Sequence, residues 1–400
     1  MSSFSVRTVV LIACAVLLAY LGALRLEGPQ GGANGHRWLS DDDDRGVYFD
    51  RSQFYPKGLT PYRDVFSEYP TLATYAFATP YLLPGSSNLT PEAYMFRWSC
   101  LMAAVYALTI ALVAAFRQQS GLAAAPALLL LGPSAVYFGL MRFDILCAYV
   151  VCVSLMAFTR ERYLPAYILL GAGTLLKWYP AVLVPVYLAF HVSRDPARRL
   201  TLTPAVRYGL AYGLTVLAIA GVTVGLVTWD GFLVPYRFHG ARGAQYFNPY
   251  WVIETWRTTI GLNTASMTWV NRLFLTLQLS IVPVLLFVRV RSLTDVLRHS
   301  VLAIYLFITF ARIDSPQWIL WYLPLILMFA RNTSTLVLVA LLTICNYVVF
   351  PVAFDDAFGP TAVVNPQWFS FIVFVKDLVL IALLVAMYRE RDSATGSKRD

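Results

Sequence analysis

The stretch Tyr69-Pro-Thr-Leu-Ala-Thr-Tyr-Ala-Phe-Ala-Thr-Pro-Tyr-Leu-Leu83 decides how the whole chain is laid out. It is apolar enough to enter a membrane, and if it crossed, every later segment would change sides. Its boundaries argue against crossing. Pro70 stands at its second position and Pro84 follows its last, and proline fixes φ and removes a backbone donor, which ends or kinks a helix. A helical span also needs about 20 apolar residues, and the stretch falls short of that. It is read as a re-entrant or interfacial piece, so the chain on either side of it is expected on one face of a membrane.

Outside that stretch, twelve apolar runs fall near residues 8–24, 92–116, 120–139, 143–158, 163–177, 179–192, 207–228, 271–288, 299–312, 317–330, 333–351 and 367–388. Composition agrees with them. The chain is 58% hydrophobic and 13% charged, against about 45–50% and 25% in soluble domains. A disordered or collagen-like chain is excluded. The expected fold is an all-α polytopic membrane protein of about 12 transmembrane helices, forming a single domain over residues 1–400. Two long extracytoplasmic loops, residues 26–91 and 229–270, and a cytoplasmic tail, residues 389–400, complete it. The first run follows a lone Arg7, which is thin for a cleavable signal, so it is read as an uncleaved first helix. The cysteines all lie inside apolar runs and are read as packing residues.

The formal charge of +9 acquires meaning once it is placed. With the amino terminus inside, the inner stretches hold 16 basic and six acidic residues, and the outer ones 14 and 15. The Lys/Arg bias of short loops sets orientation, so both termini are expected in the cytoplasm of a multi-pass plasma-membrane protein. The inner surplus orients the chain and is no nucleic-acid surface. Lys376 and Asp377 fall within the last run, where a charge costs about 2.5–3.5 kcal/mol on insertion scales. An ion pair facing the bundle is the plainer reading, and a role at a lipid phosphate or groove the other. No matching halves are visible, as inverted-repeat carriers would show, and the polar chemistry gathers on the outer side. That favours an enzyme, with a transporter of lipid-linked sugars as the rival.

Several outer motifs carry that chemistry. The run Asp41-Asp-Asp-Asp44-Arg-Gly-Val-Tyr48-Phe-Asp50 is either a solvated acidic helix start or a carboxylate base held just outside the membrane;. Its Asp-x-Asp spacing, Asp42 with Asp44, leaves a divalent cation as a lesser alternative. Arg63 and Glu68 bracket a pocket mouth, Arg being suited to bidentate phosphate recognition. Short outer turns carry Arg142-Phe-Asp144, Lys177-Trp-Tyr-Pro180 and Arg312-Ile-Asp-Ser-Pro-Gln317. Singly, each reads as a helix-end cation; together with the acidic loop they point to one site. In the second loop His239 precedes Arg242, and both can donate to a phosphate when the imidazole is charged. Phosphate-loop, dinucleotide-binding and metalloprotease motifs are missing, so an activated substrate would have to come from the lipid phase.

In order along the chain, the acidic run, Pro61-Tyr-Arg-Asp64, Glu68-Tyr-Pro70, Arg142-Phe-Asp144, Gly171-Ala-Gly-Thr-Leu-Leu-Lys177-Trp-Tyr-Pro180, His239-Gly-Ala-Arg242-Gly-Ala-Gln245 and Ser315-Pro-Gln317-Trp resemble the glycosyltransferase family 87 enzymes. These are GT-C-type membrane proteins that include polyprenol-phosphate-mannose-dependent mannosyltransferases. The resemblance implies inverting transfer of a hexose, with mannose the usual one, from a polyprenyl-phosphate donor to an extracytoplasmic lipid or glycan acceptor. It implies a first-loop Asp as base, here Asp44 by its spacing to Gly46 and Tyr48, with Asp43 and Asp42 as alternates because the acidic run blurs the register. Arg63, Lys177, His239 and Arg242 are the candidates for donor phosphate. Tyr48, Glu68, Tyr69, Arg142, Asp144, Gln245 and Gln317 are the candidates for the substrate pocket. One base and nearby cations suffice for displacement of a phosphate leaving group, so no cofactor is called for. The partners expected are the lipid-linked donor, the acceptor and membrane lipids.

Overall fold

A computed structural model of the chain describes residues 4–27, 38–40, 42–85, 89–194, 204–242, 247, 249–259, 268–311, 313–358 and 364–390. The described residues are helical throughout, with no strand. The decisive stretch forms no helix long enough to cross a membrane. Residues 71–76 form a short helix (α3, Thr71–Ala76) and residues 79–82 a 3₁₀ turn. Pro70 and Pro80 sit at the starts of these two pieces, where a missing N–H costs nothing;.

Helix α1 (Val6–Glu27) is followed by the short α2 (Asp42–Ser52), and then, past α3, by α4 (Pro91–Gln119). The last of these runs through the middle of the bundle. Its buried side chains Tyr94, Trp98, Met102, Tyr106, Ile110, Val113 and Arg117 recur every three or four residues, the period of one helix face, and α1, α5 (Pro133–Met141), α6 (Asp144–Thr159) and α13 (Ile319–Phe329) pack around it. Helices α7 (Tyr163–Leu176) and α9 (Pro204–Ala241) meet closely at Gly171, where a Cβ would come within 2.9 Å of the Thr215 side chain. Small residues at crossings of this kind let backbones approach in membranes. The remaining helices are α8 (Val184–Arg194), α10 (Pro249–Thr259), α11 (Thr268–Phe287), α12 (Leu293–Thr309), α14 (Thr333–Tyr347), α15 (Phe354–Phe358) and α16 (Pro366–Arg389).

Among the described residues, five helical segments are long and apolar enough to cross a membrane: Val6–Glu27, Pro91–Gln119, Pro204–Ala241, Thr333–Phe358 and Pro366–Arg389. A sixth arises if α5 and α6, bent at 103°, count as one broken span. The other apolar runs form shorter helices, among them Tyr163–Leu176 and Arg272–Phe287, so twelve full-length spans are not what the described helices display. The reason is local. Proline and polar turns cut the central runs into pieces that end beside one another. Outward-facing surfaces are apolar where a bilayer would meet them. On α16, Phe371, Phe374, Leu378, Ile381 and Val385 are exposed at helical spacing, a stripe too long for a soluble protein to leave uncovered. The protein is a helical, membrane-embedded chain.

Helix α9 is continuous only to residue 227. Thr228 has φ +70, a left-handed value that β-branched residues avoid, and residues 229–241 run on as a separate piece. That break carries His239 back over the bundle end.

Candidate active site

Helix α2 starts at Asp42, with Asp43 and Asp44 completing an acidic first turn. Carboxylates there are stabilised by the positive end of the helix dipole. The three side chains then part company. Asp42 pairs with Arg45, whose other nitrogen donates to Ser99 Oγ at 2.9 Å. Asp43 is exposed. Asp44 faces a cavity and pairs with Arg142. Asp42 and Asp44 are thus turned to different arginines, and among the described residues no cluster of three His, Cys, Asp or Glu side chains could hold a metal ion.

Arg142 stands in the break between α5 and α6, with extended backbone. It is buried. A buried guanidinium is tolerated when charge and hydrogen bonds compensate its lost hydration, and Asp44 supplies the charge. Two residues on, Asp144 opens α6 and is fully buried. Its oxygens are held by Lys177 Nζ at 2.9 Å and by the Trp321 indole N–H at 2.7 Å. Lys177 caps α7 in extended conformation, which swings its side chain off the helix axis. The ammonium lies 4.4 Å from the Phe143 ring centroid and 5.5 Å from that of Trp321, within reach of the negative faces of both rings.

These groups border a cavity of about 590 Å³, within the range of roughly 300–1,000 Å³ usual for ligand sites. Asp44, Glu68, Tyr69, Arg142, Lys177, His239, Arg242 and Gln317 all line it. They come from six stretches of the sequence, and the fold brings them to one place. Asp144 sits directly behind Lys177. Tyr48 is one layer deeper, fully buried, stacked on Phe77 at 4.5 Å and edge-on to Tyr69 and Phe143. It fixes α2 against the cavity wall and does not face the cavity itself.

Three other candidates fare differently. Arg63 stays outside the cavity, exposed and bound to Asp64 at 2.9 Å. The hydrogen bond from Arg63 and the Thr60 backbone N–H hold the Asp64 carboxyl down, at about 2;. Arg63 therefore lies away from the place where the other cations converge. Glu68 gives its carboxylate to Arg51, at 2.7 Å, and its backbone carbonyl to His239 Nε2, at 3.0 Å. Because a carbonyl only accepts, His239 must carry its proton on Nε2. Burial and the neighbouring Arg242 push its pKa down, to about 4, so the ring is neutral at physiological pH and its one N–H is already committed. In this arrangement the neutral ring ties the Glu68 backbone to the end of α9. Gln245 and Arg312 lie outside the described residues.

The aromatic and apolar wall went unrecognised in the sequence as a site element. Trp178 stacks on Tyr236 at 5.1 Å, and Trp318 on Trp321 at 4.4 Å. Leu275, Phe307 and Phe310, from α11 and α12, continue the lining. The signal was present as Trp and Phe next to motif cations, but aromatic residues at helix ends are equally the mark of membrane interfaces. Only proximity separates the two. No protein-family model matches this chain, and no curated protein matches it either.

Proposed function

We propose that the chain is an inverting membrane glycosyltransferase, taking a hexose, mannose first among the candidates, from a polyprenyl-phosphate donor. The observation that carries the reading is the meeting of the Asp44 carboxylate with the cations Lys177 and Arg242 around a cavity much of whose remaining wall is apolar and aromatic. Such a cavity suits a substrate with a phosphate head and a hydrocarbon tail. On this reading the twelve apolar runs each traverse or enter the bilayer, the termini face the cytoplasm, and the cavity opens outside.

The chemistry balances with these residues. An acceptor hydroxyl attacks the anomeric carbon, its proton passing to Asp44. The bond from that carbon to the phosphate oxygen breaks, and its electron pair leaves on polyprenyl phosphate. Lys177 and Arg242 offset the extra negative charge on that phosphate, and donors aimed at developing charge are worth about 3–4 kcal/mol each. Arg142 orients the base from behind. Attack and departure on opposite faces of the sugar give inversion with a single carboxyl group.

The test is transfer itself. The purified chain in liposomes, supplied with labelled polyprenyl-phosphate mannose and extracted membrane glycolipids as acceptors, should form a glycosidic product. Movement of labelled lipid across the bilayer with no product would sink the transferase and favour a carrier.

A further inference from the structure

Away from Asp44, three ionisable side chains meet in the interior. Lys376, in the middle of α16, is almost wholly buried. Its ammonium lies 3.1 Å from Asp377 and 3.7 Å from Asp314, both of them also largely shielded. It donates as well to the backbone carbonyl of Phe247, at 3.4 Å. Charges at this depth are costly unless paired, and Asp377 alone would satisfy the pairing. The additional contacts to residues 247 and 314 therefore need a reason of their own.

Both contacts reach segments that line the large cavity. Phe247 is a wall residue, and Asp314 directly precedes Ser315, Pro316 and Gln317, which are wall residues too. This second segment is a strap between α12 and α13 that runs into a 3₁₀ turn at Pro316–Trp318. Asp314 accepts from the Ser315 backbone N–H at 2.6 Å, and Asn346 of α14 donates to the Pro316 carbonyl at 2.9 Å. Irregular backbone inside a membrane protein persists only where neighbours satisfy it. A small void of about 30 Å³ lies between the strap, Lys376 and Asp377.

We propose that Lys376 is a positioning residue that ties the 313–317 strap and the Phe247 backbone to α16, and so sets the shape of that part of the cavity wall. Asp377 holds the ammonium in place from its own helix, and Asp314 transmits its position to Gln317. The effect on turnover rests on the transferase reading above; the effect on the strap does not.

Two measurements test it. In the first, a Ser315→Cys substitution reports on the strap through its rate of modification by a small aqueous maleimide, corrected for the native cysteines. Adding Lys376→Met should speed labelling by about tenfold, since a lost anchor exposes backbone that was held, and Lys376→Arg should restore the slow rate. In the second, the same change in otherwise native chain should raise KM for the lipid donor by about tenfold while kcat stays within about threefold, because the Asp44 machinery is untouched. Asp314→Asn is the companion variant: it leaves Lys376 paired with Asp377, spares the fold, and should reproduce both effects. Unchanged labelling in Lys376→Met and Asp314→Asn overturns the proposal. Faster labelling in a chain that transfers no sugar leaves the anchor standing and removes only the transferase.

Discussion

Arg142, in the break between α5 and α6, pairs with Asp44 in the first turn of α2. The guanidinium is buried and the carboxylate one-third exposed, so the pair has a fixed side and an open side. That asymmetry suits a base that must stay oriented while its proton partner changes. It also distinguishes Asp44 from its acidic neighbours, because Asp42 pairs with Arg45 and neither it nor the exposed Asp43 lines the cavity.

Asp44→Asn should therefore lose transfer by about 10²–10⁴-fold, the usual contribution of a general base, while donor affinity changes little. Asp42→Asn and Asp43→Asn should keep most of the activity. Rates and donor binding measured on all three variants decide it: full turnover in Asp44→Asn removes that residue from the mechanism.

Lys177 has two duties that mutation can separate. It neutralises the fully buried Asp144 and lines the cavity. Removing one partner of a buried pair costs about 3–5 kcal/mol, because the other charge is stranded. Lys177→Met should be strongly destabilised, with Trp321 left as the donor to Asp144 described here. The double variant Lys177→Met with Asp144→Asn should recover thermal stability in detergent and still bind the lipid donor poorly. If stability and donor affinity return together, Lys177 holds no phosphate.

His239 gives a prediction in pH. Its folded-state pKa, near 4, lies below the ordinary value of 6.5 because burial and Arg242 disfavour the charged ring. Between those two values the unfolded chain binds a proton that the folded chain does not, so stability must fall as pH drops from 6.5 towards 4. His239→Gln should flatten that part of the stability curve and leave the curve above pH 6.5 unchanged. Donor binding should show no step near pH 6.5 in the native protein. Such a step, vanishing in His239→Gln, would restore the charged imidazole as a phosphate ligand.

The fold class was legible because hydropathy is a cumulative signal: long apolar runs with basic flanks survive any local error. The site was legible in its cations and carboxylates, since Arg142, Lys177, His239 and Gln317 each interrupt an apolar run, and a polar residue there has to go somewhere shared. What the sequence could not supply was direction. Arg63 and Arg242 are alike as residue types, yet Asp64 holds one at the surface while the other lines the cavity. Nor could the sequence show that His239 Nε2 is aimed at the backbone carbonyl of Glu68, a residue of another loop. The number of full spans was not legible, because hydropathy cannot tell a crossing helix from one that stops where a proline or a turn bends it, as α5 does before α6.

Sidedness follows from the course of residues 69–83, which can be tested without any assay of function. Lys57 precedes the stretch and Glu92 follows it at the start of α4, and both are exposed. Since α3 and the 3₁₀ turn together are far shorter than the roughly 30 Å hydrocarbon layer, the two positions should share one face. Lys57→Cys and Glu92→Cys, each in sealed right-side-out vesicles, should react with an impermeant maleimide, and a cysteine replacing Arg331 should react only after the vesicles are opened. If Lys57→Cys and Glu92→Cys label from opposite sides, the stretch crosses the bilayer and the charge bias loses its meaning.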